Sequence, residues 1–137
     1  MNSYLTKEEA VAYADVAHHC HYFPIHRKQI MFESIRDGEK LCMLTPKSKY
    51  HKAQDRYWVD ITSVQAELMD IYDKAFILFR LEEMKLVAVK WDDIRPHLSA
   101  EYMTHNANES NHWKLQICRD HIWIGKQENG FPIQIVD

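Results

Sequence analysis

The chain has 137 residues, 46% of them hydrophobic, which is enough for one domain with a sizeable core. Three glycines and four prolines are too few for a low-complexity chain, and no run of about 18 apolar residues offers a membrane span. A formal net charge of −3 argues against a surface coated for nucleic acid, and three widely spaced cysteines, Cys20, Cys42 and Cys118, form no CxxC pair, which predicts reduced thiols in a cytoplasmic setting.

The first segment, MNSYLTKEEA, has neither a basic nor an apolar leader region, so no signal peptide is expected. Thr6 and Glu9 have the spacing of a capping box, and a helix is predicted from there through Val11, Ala14 and Ala17 to about Cys20, with Pro24 preventing a longer one. Two strands follow within Gln29 to Lys49, joined at Asp37-Gly38, a pair that tolerates the positive φ of a two-residue turn. Pro46 to Arg56 is polar and basic and is expected to be a loop, leading into a strand over Tyr57 to Ile61. Thr62 and Gln65 form a second capping box for a helix with Val64, Leu68, Ile71 and Tyr72 on one face.

Ala75 to Leu81 is a nearly continuous apolar run, as in a central strand. Glu82-Glu83 turns the chain into a strand over Leu86 to Val89, and Trp91 to Leu98 reads as a short helical turn broken at Pro96. His112 to Cys118 alternates Trp113, Leu115 and Ile117 against Lys114, Gln116 and Cys118. Arg119-Asp120 and Asn129-Gly130 are turns around a strand bearing Ile122 and Ile124, and the last strand spans Ile133 to Val136. No repeat or linker interrupts this order. The expected fold is a single α+β domain over residues 1–137, with about two main helices on a mixed or largely antiparallel sheet of five to seven strands. The final strand either closes that sheet or pairs across a homodimer.

Charge is unevenly distributed. Between His26 and Trp58 eight basic residues face four acids, a local +4 that leaves −7 elsewhere and would turn a polyanion towards one face. Lys47, Lys49, Tyr50, Lys52 and Arg56 interleave cations with an aromatic ring, a composition suited to phosphate contact and base stacking, and they are the candidate partner-binding residues. His18 and His21, at i and i+3 beside Asp15, are candidate metal ligands if the helix continues through them; their spacing fits no standard zinc finger. Asn106, Asn108, Glu109, Asn111 and His112 are polar but have the character of a turn. Phosphate-binding glycine loops, GxSxG elbows and HExxH motifs are absent.

The order helix, strand, strand, basic loop, helix, buried strand resembles the core of the PD-(D/E)xK nuclease superfamily. That resemblance implies Mg²⁺ held by acids on the hairpin and a lysine that steadies the phosphate. The matching positions are Glu33 or Asp37 for the first acid and Lys47 for the lysine, which makes Glu33, Asp37 and Lys47 the candidate catalytic residues. Thr45 stands where the second acid belongs, and Glu39, the other acid of that strand, is about 20 Å away at roughly 3.3 Å per residue. The expectation is therefore a degenerate, non-catalytic nuclease-like domain that contacts nucleic acid or a protein partner through the basic loop. The alternatives are an active Mg²⁺-dependent nuclease and an acidic inhibitor or immunity-type factor that acts by protein–protein binding.

Overall fold

Thr6 and Thr62 each close a capping box, and these boxes start the two longer helices of the chain. The structure, a computed structural model, describes residues 3–105, 111–118, 120–125 and 130–136; Asn106, Asn108, Glu109, Arg119 and Asn129 lie outside them. Helix α1 spans Lys7–His18. It ends two residues before the expected point because His19 turns left-handed at φ 54°, which lets Cys20 N–H reach Asp15 O at 3.1 Å. The Asp15 carboxylate also accepts from Tyr22 N–H at 2.9 Å, so one side chain folds the chain back beyond the helix.

Three strands then form a meander: β1 (Phe23–Pro24), β2 (Met31–Arg36) and β3 (Glu39–Leu44). The β2–β3 turn is the expected one, with Asp37 and Gly38 at φ 51° and 82°. No atom lies within 4 Å of where a Gly38 Cβ would sit, so conformation alone calls for glycine there. The Pro46–Arg56 segment differs from expectation. Lys49–His51 forms β4, an antiparallel hairpin with β5 (Arg56–Thr62), closed by Asp55 at φ 53° and by the Tyr50 and Tyr57 rings, whose centroids are 5.1 Å apart. Its cations conceal a strand because both of its faces carry polar or aromatic residues.

Helix α2 covers Ser63–Asp70, followed by β6 (Lys74–Leu81), β7 (Lys85–Lys90) and the single turn α3 (Trp91–Ile94). The buried positions of α2 are Ala66 and Met69. Leu68 and Tyr72 are half-buried against the core, while Val64 and Ile71 are exposed, contrary to the expected stripe. The helix is too short to carry that stripe, since Ile71 and Tyr72 fall beyond its last residue. Strands β8 (His112–Cys118), β9 (His121–Ile124), β10 (Phe131–Pro132) and β11 (Gln134–Val136) complete the chain.

The α+β class is as expected, with the strands divided between two sheets. The first has the order β1-β2-β3-β6-β7-β11 and is mixed, β3 and β6 being parallel; the second, β10-β9-β8-β5-β4, is antiparallel throughout. Leu41 to Leu44 are all buried because β3 is covered on both faces. Leu41 and Met43 pack with Leu78 against Ala10 and Ala14 of α1. Cys42 and Leu44 face a larger core with Ile77, Phe79, Ile61, Leu115 and Ile117, which lies between the two sheets and is capped by Met69, Trp91 and Ile94. Burying a large apolar side chain of this kind contributes about 1.5–3 kcal/mol. Within this framework Arg80, only 9% exposed, donates from Nε to Thr45 O at 3.2 Å and from NH1 to Leu5 O at 3.2 Å, tying the N-terminal segment to the end of β3. Burial lowers its pKa. The final strand β11 pairs with β7, so it closes the first sheet within the chain.

Candidate nucleic-acid interface

The three candidate catalytic residues lie apart. Glu33 is an exposed residue of β2 and accepts a hydrogen bond of 2.8 Å from the Tyr72 hydroxyl. Asp37 is in the β2–β3 turn, and Lys47 follows the other end of β3, with its Nζ 4.4 Å from the centre of the Tyr4 ring. Five residue steps of β3 alone separate Asp37 from Lys47 by about 17 Å at roughly 3.3 Å per step. The turn acid and the lysine that the nuclease resemblance pairs at the phosphate therefore lie at opposite ends of β3.

Thr45 explains the missing acid. It is fully buried, and its hydroxyl donates to Leu78 O at 2.8 Å. Thr45 N–H donates to Ile30 O at 2.9 Å. A carboxylate at this position would face a carbonyl oxygen in a closed environment, so the position is occupied by a structural hydroxyl.

The two candidate metal ligands have other partners. His18, the last residue of α1, shares a hydrogen bond of 2.8 Å with the Tyr22 hydroxyl and lies 4.1 Å from the Phe76 ring, and burial lowers its pKa. His21 lies beyond the helix, so the i, i+3 face does not form; its Nδ1 is 3.3 Å from Asp15 Oδ2. Among the described residues no three His, Cys, Asp or Glu side chains are gathered to hold a metal ion.

The basic segment does converge with other residues. On β5, Val59 and Ile61 enter the core, so Arg56, Trp58 and Asp60 point to the opposite, outer face of the second sheet. Strand register aligns Lys49, Trp58, Gln116 and Trp123 in one row across β4, β5, β8 and β9. Arg56 joins this row: its NH1 donates to Gln116 Oε1 at 2.7 Å, and its guanidinium lies 4.3 Å over the Trp123 ring. His51 covers Trp58 with ring centres 4.6 Å apart and planes 35° apart. A tilted ring pair, His51–Trp58, and a cation–π pair, Arg56–Trp123, thus flank Gln116.

Lys49 and Lys52 are exposed at the rim beside these pairs, and Lys114 is exposed on β8. Tyr50 is tied into the hairpin. Its hydroxyl donates to Asp55, which pushes its pKa up to about 12 and fixes the hairpin loop. Lys47 is held over Tyr4, away from the row. The sequence reading missed Gln116 and Trp123. The alternation of residues 56–61 signals the outward face of Trp58, but only strand pairing places β8 and β9 beside it. Comparison of the chain with protein-family models, with curated proteins and with solved structures finds no match in any of the three.

Proposed function

We propose that this chain is a non-catalytic single-stranded nucleic-acid-binding domain whose contact surface is the outer face of the second sheet. The observation that carries this reading is the in-register row Lys49–Trp58–Gln116–Trp123, flanked by His51 and Arg56. An antiparallel face with half-buried rings and exposed lysines offers stacking for unpaired bases, an amide for their polar edges, and Lys49, Lys52 and Arg56 for phosphates. Lys49, Lys52, Arg56 and Lys114 outnumber the acids of this face and its turns, Asp55, Asp60 and Asp120, and Asp55 is engaged by Tyr50. The order α1, β1 to β3, then α2 and β6 after the β4–β5 hairpin, with β6 parallel to β3, supports a degenerate nuclease-like scaffold as the framework for this surface. Thr45, with its hydroxyl committed to Leu78 O, supports the absence of cleavage.

The test is fluorescence anisotropy with labelled single-stranded DNA, single-stranded RNA and duplex, alongside Mg²⁺ and Mn²⁺ cleavage assays on the same substrates. Single strands bind in preference to duplex, and affinity falls with salt with a log–log slope of about −2, as expected for three phosphate contacts. Trp58→Ala weakens binding by about 5- to 150-fold, the range for loss of one stacked base. Lys49→Glu with Lys52→Glu weakens it further while leaving the circular dichroism spectrum unchanged. Absence of binding to every nucleic acid up to about 100 µM, the weak end of non-specific affinity, overturns the proposal and favours a protein partner. Metal-dependent cleavage overturns its non-catalytic part.

A further inference from the structure

A concave surface lies on the first sheet, the other sheet from the row of rings. Strand register places Phe23 beside Glu33 and Glu33 beside Cys42, and, one step along the same face, Ile35 beside Lys40. Cys42 is fully buried, and burial next to Glu33 raises its thiol pKa to about 12. Helix α2 stops at Asp70, and Ile71 and Tyr72, which follow it, line the space beside Glu33 and Lys40. The result is an open groove of about 630 Å³. Its size falls in the ordinary range for small-molecule sites, roughly 300–1,000 Å³.

Two properties set this groove apart. Of the six large hydrophobic residues most exposed among the described residues, three line it: Phe23 at 59%, Ile35 at 70% and Ile71 at 74%. Single exposed hydrophobics are ordinary on a protein surface, but three in one concavity make an apolar wall that a ligand can desolvate. The groove also holds one charge of each sign. Glu33 engages Tyr72 through Oε1 alone, which leaves Oε2 for a ligand. Lys40 is diagonal to Glu33 across β2 and β3, roughly 7–8 Å away by strand geometry, and the two form no ion pair. The Lys40 backbone is fixed in place by Asp73, whose Oδ2 accepts from Lys40 N–H at 2.7 Å. The His21 ring packs edge-on against Phe23 at 4.7 Å and steadies that wall.

The geometry points to a binding site for a free α-amino acid with an apolar or aromatic side chain. Its ammonium meets Glu33, its carboxylate meets Lys40, and its side chain lies against Phe23, Ile35 and Ile71. The two opposite charges on one small ligand distinguish it from residues within a peptide chain, whose amine and carboxyl are consumed in amide bonds. They also distinguish it from a simple hydrophobic amine, which Lys40 would repel.

The probes are L-phenylalanine, its amide (cation only) and N-acetyl-L-phenylalanine (anion only), titrated into the ¹⁵N-labelled full chain. L-phenylalanine shifts the amide resonances of Glu33, Ile35, Lys40 and Tyr72, with a Kd of about 1 mM or tighter, equivalent to about −4.1 kcal/mol. Each single-charge analogue binds about tenfold more weakly, the loss of one charge-assisted hydrogen bond. Glu33→Gln keeps an acceptor for Tyr72 and so retains the fold. It reduces L-phenylalanine binding to the level of the N-acetyl analogue. Lys40→Met reduces it to the level of the amide. The inference is overturned if L-phenylalanine leaves these resonances unmoved, or if all three probes bind equally well, which would make the groove a nonselective apolar patch. Neither outcome bears on the row of rings on the second sheet, so this inference and the nucleic-acid reading stand or fall separately.

Discussion

Replacing Thr45 with aspartate puts an acid back where the nuclease resemblance would have one. If the threonine were merely a lost catalytic residue, the substitution would be tolerated and would bring the site closer to activity. The structure leads to the opposite outcome. The Thr45 side chain is fully buried, and its hydroxyl donates to Leu78 O at 2.8 Å. Thr45→Val deletes that donor but keeps the shape, so it costs about 1–3 kcal/mol for the hydrogen bond and the carbonyl left without it. Thr45→Asp also loses the donor, and in addition confronts Leu78 O with a buried negative charge. Arg80 could neutralise the carboxylate only by giving up Thr45 O and Leu5 O. An unpaired buried charge costs about 3–5 kcal/mol, a large part of the roughly 5–15 kcal/mol that holds a domain folded. Urea unfolding followed by circular dichroism reads both variants, with Thr45→Asp the less stable at pH 7. A Thr45→Asp protein within about 0.5 kcal/mol of wild type, the usual range for an inconsequential surface change, would refute this reasoning. So would the appearance of Mg²⁺-dependent cleavage.

Three further outcomes follow from the same framework. Arg80→Met keeps the aliphatic stem but leaves Thr45 O and Leu5 O without their donor, and urea unfolding should show a loss of about 2–4 kcal/mol. Burial lowers the pKa of His18, so the unfolded chain binds more protons there than the folded one. Its contribution is complete above the ordinary histidine value of about 6.5 and is lost as pH falls towards the folded pKa; unfolding midpoints between pH 7 and pH 5 should therefore decline, and His18→Gln should reduce that slope. Thr62→Ala removes the acceptor for Gln65 N–H at 3.1 Å and one half of the α2 capping box, and it should cost about 1 kcal/mol in thermal or urea unfolding.

Local signals hold wherever a short stretch suffices to satisfy its own physics. The capping boxes at Thr6 and Thr62 and the Asp37-Gly38 turn depend on neighbours three residues away or fewer, and all three form as the sequence indicates. The apolar run at Ala75 to Leu81 becomes a central strand because it is apolar on both faces. Where the deciding partner is distant, the pattern misleads. Lys49 to His51 has the composition of a loop and becomes a strand only because β5 pairs with it. The i, i+3 spacing of His18 and His21 has meaning only on a helix, and the left-handed turn at His19 ends that helix first. Glu33, Asp37 and Lys47 share a short stretch of sequence, but β3 is extended and holds its two ends apart.

The chain alone therefore determines its class, its helix starts, its hairpin and its central strand, since these follow from hydrogen bonds and alternation within a few residues. It also marks the basic segment from Lys47 to Arg56. Tertiary structure alone decides what that segment does: β8 and β9 bring Gln116 and Trp123 beside Arg56 and Trp58 from some sixty residues further along the chain. It likewise decides that Glu33 opens into a groove with Lys40, and that Thr45 is a buried donor to Leu78 O. Side-chain chemistry is written locally, but which side chains share a surface depends on the pairing of strands far apart in sequence.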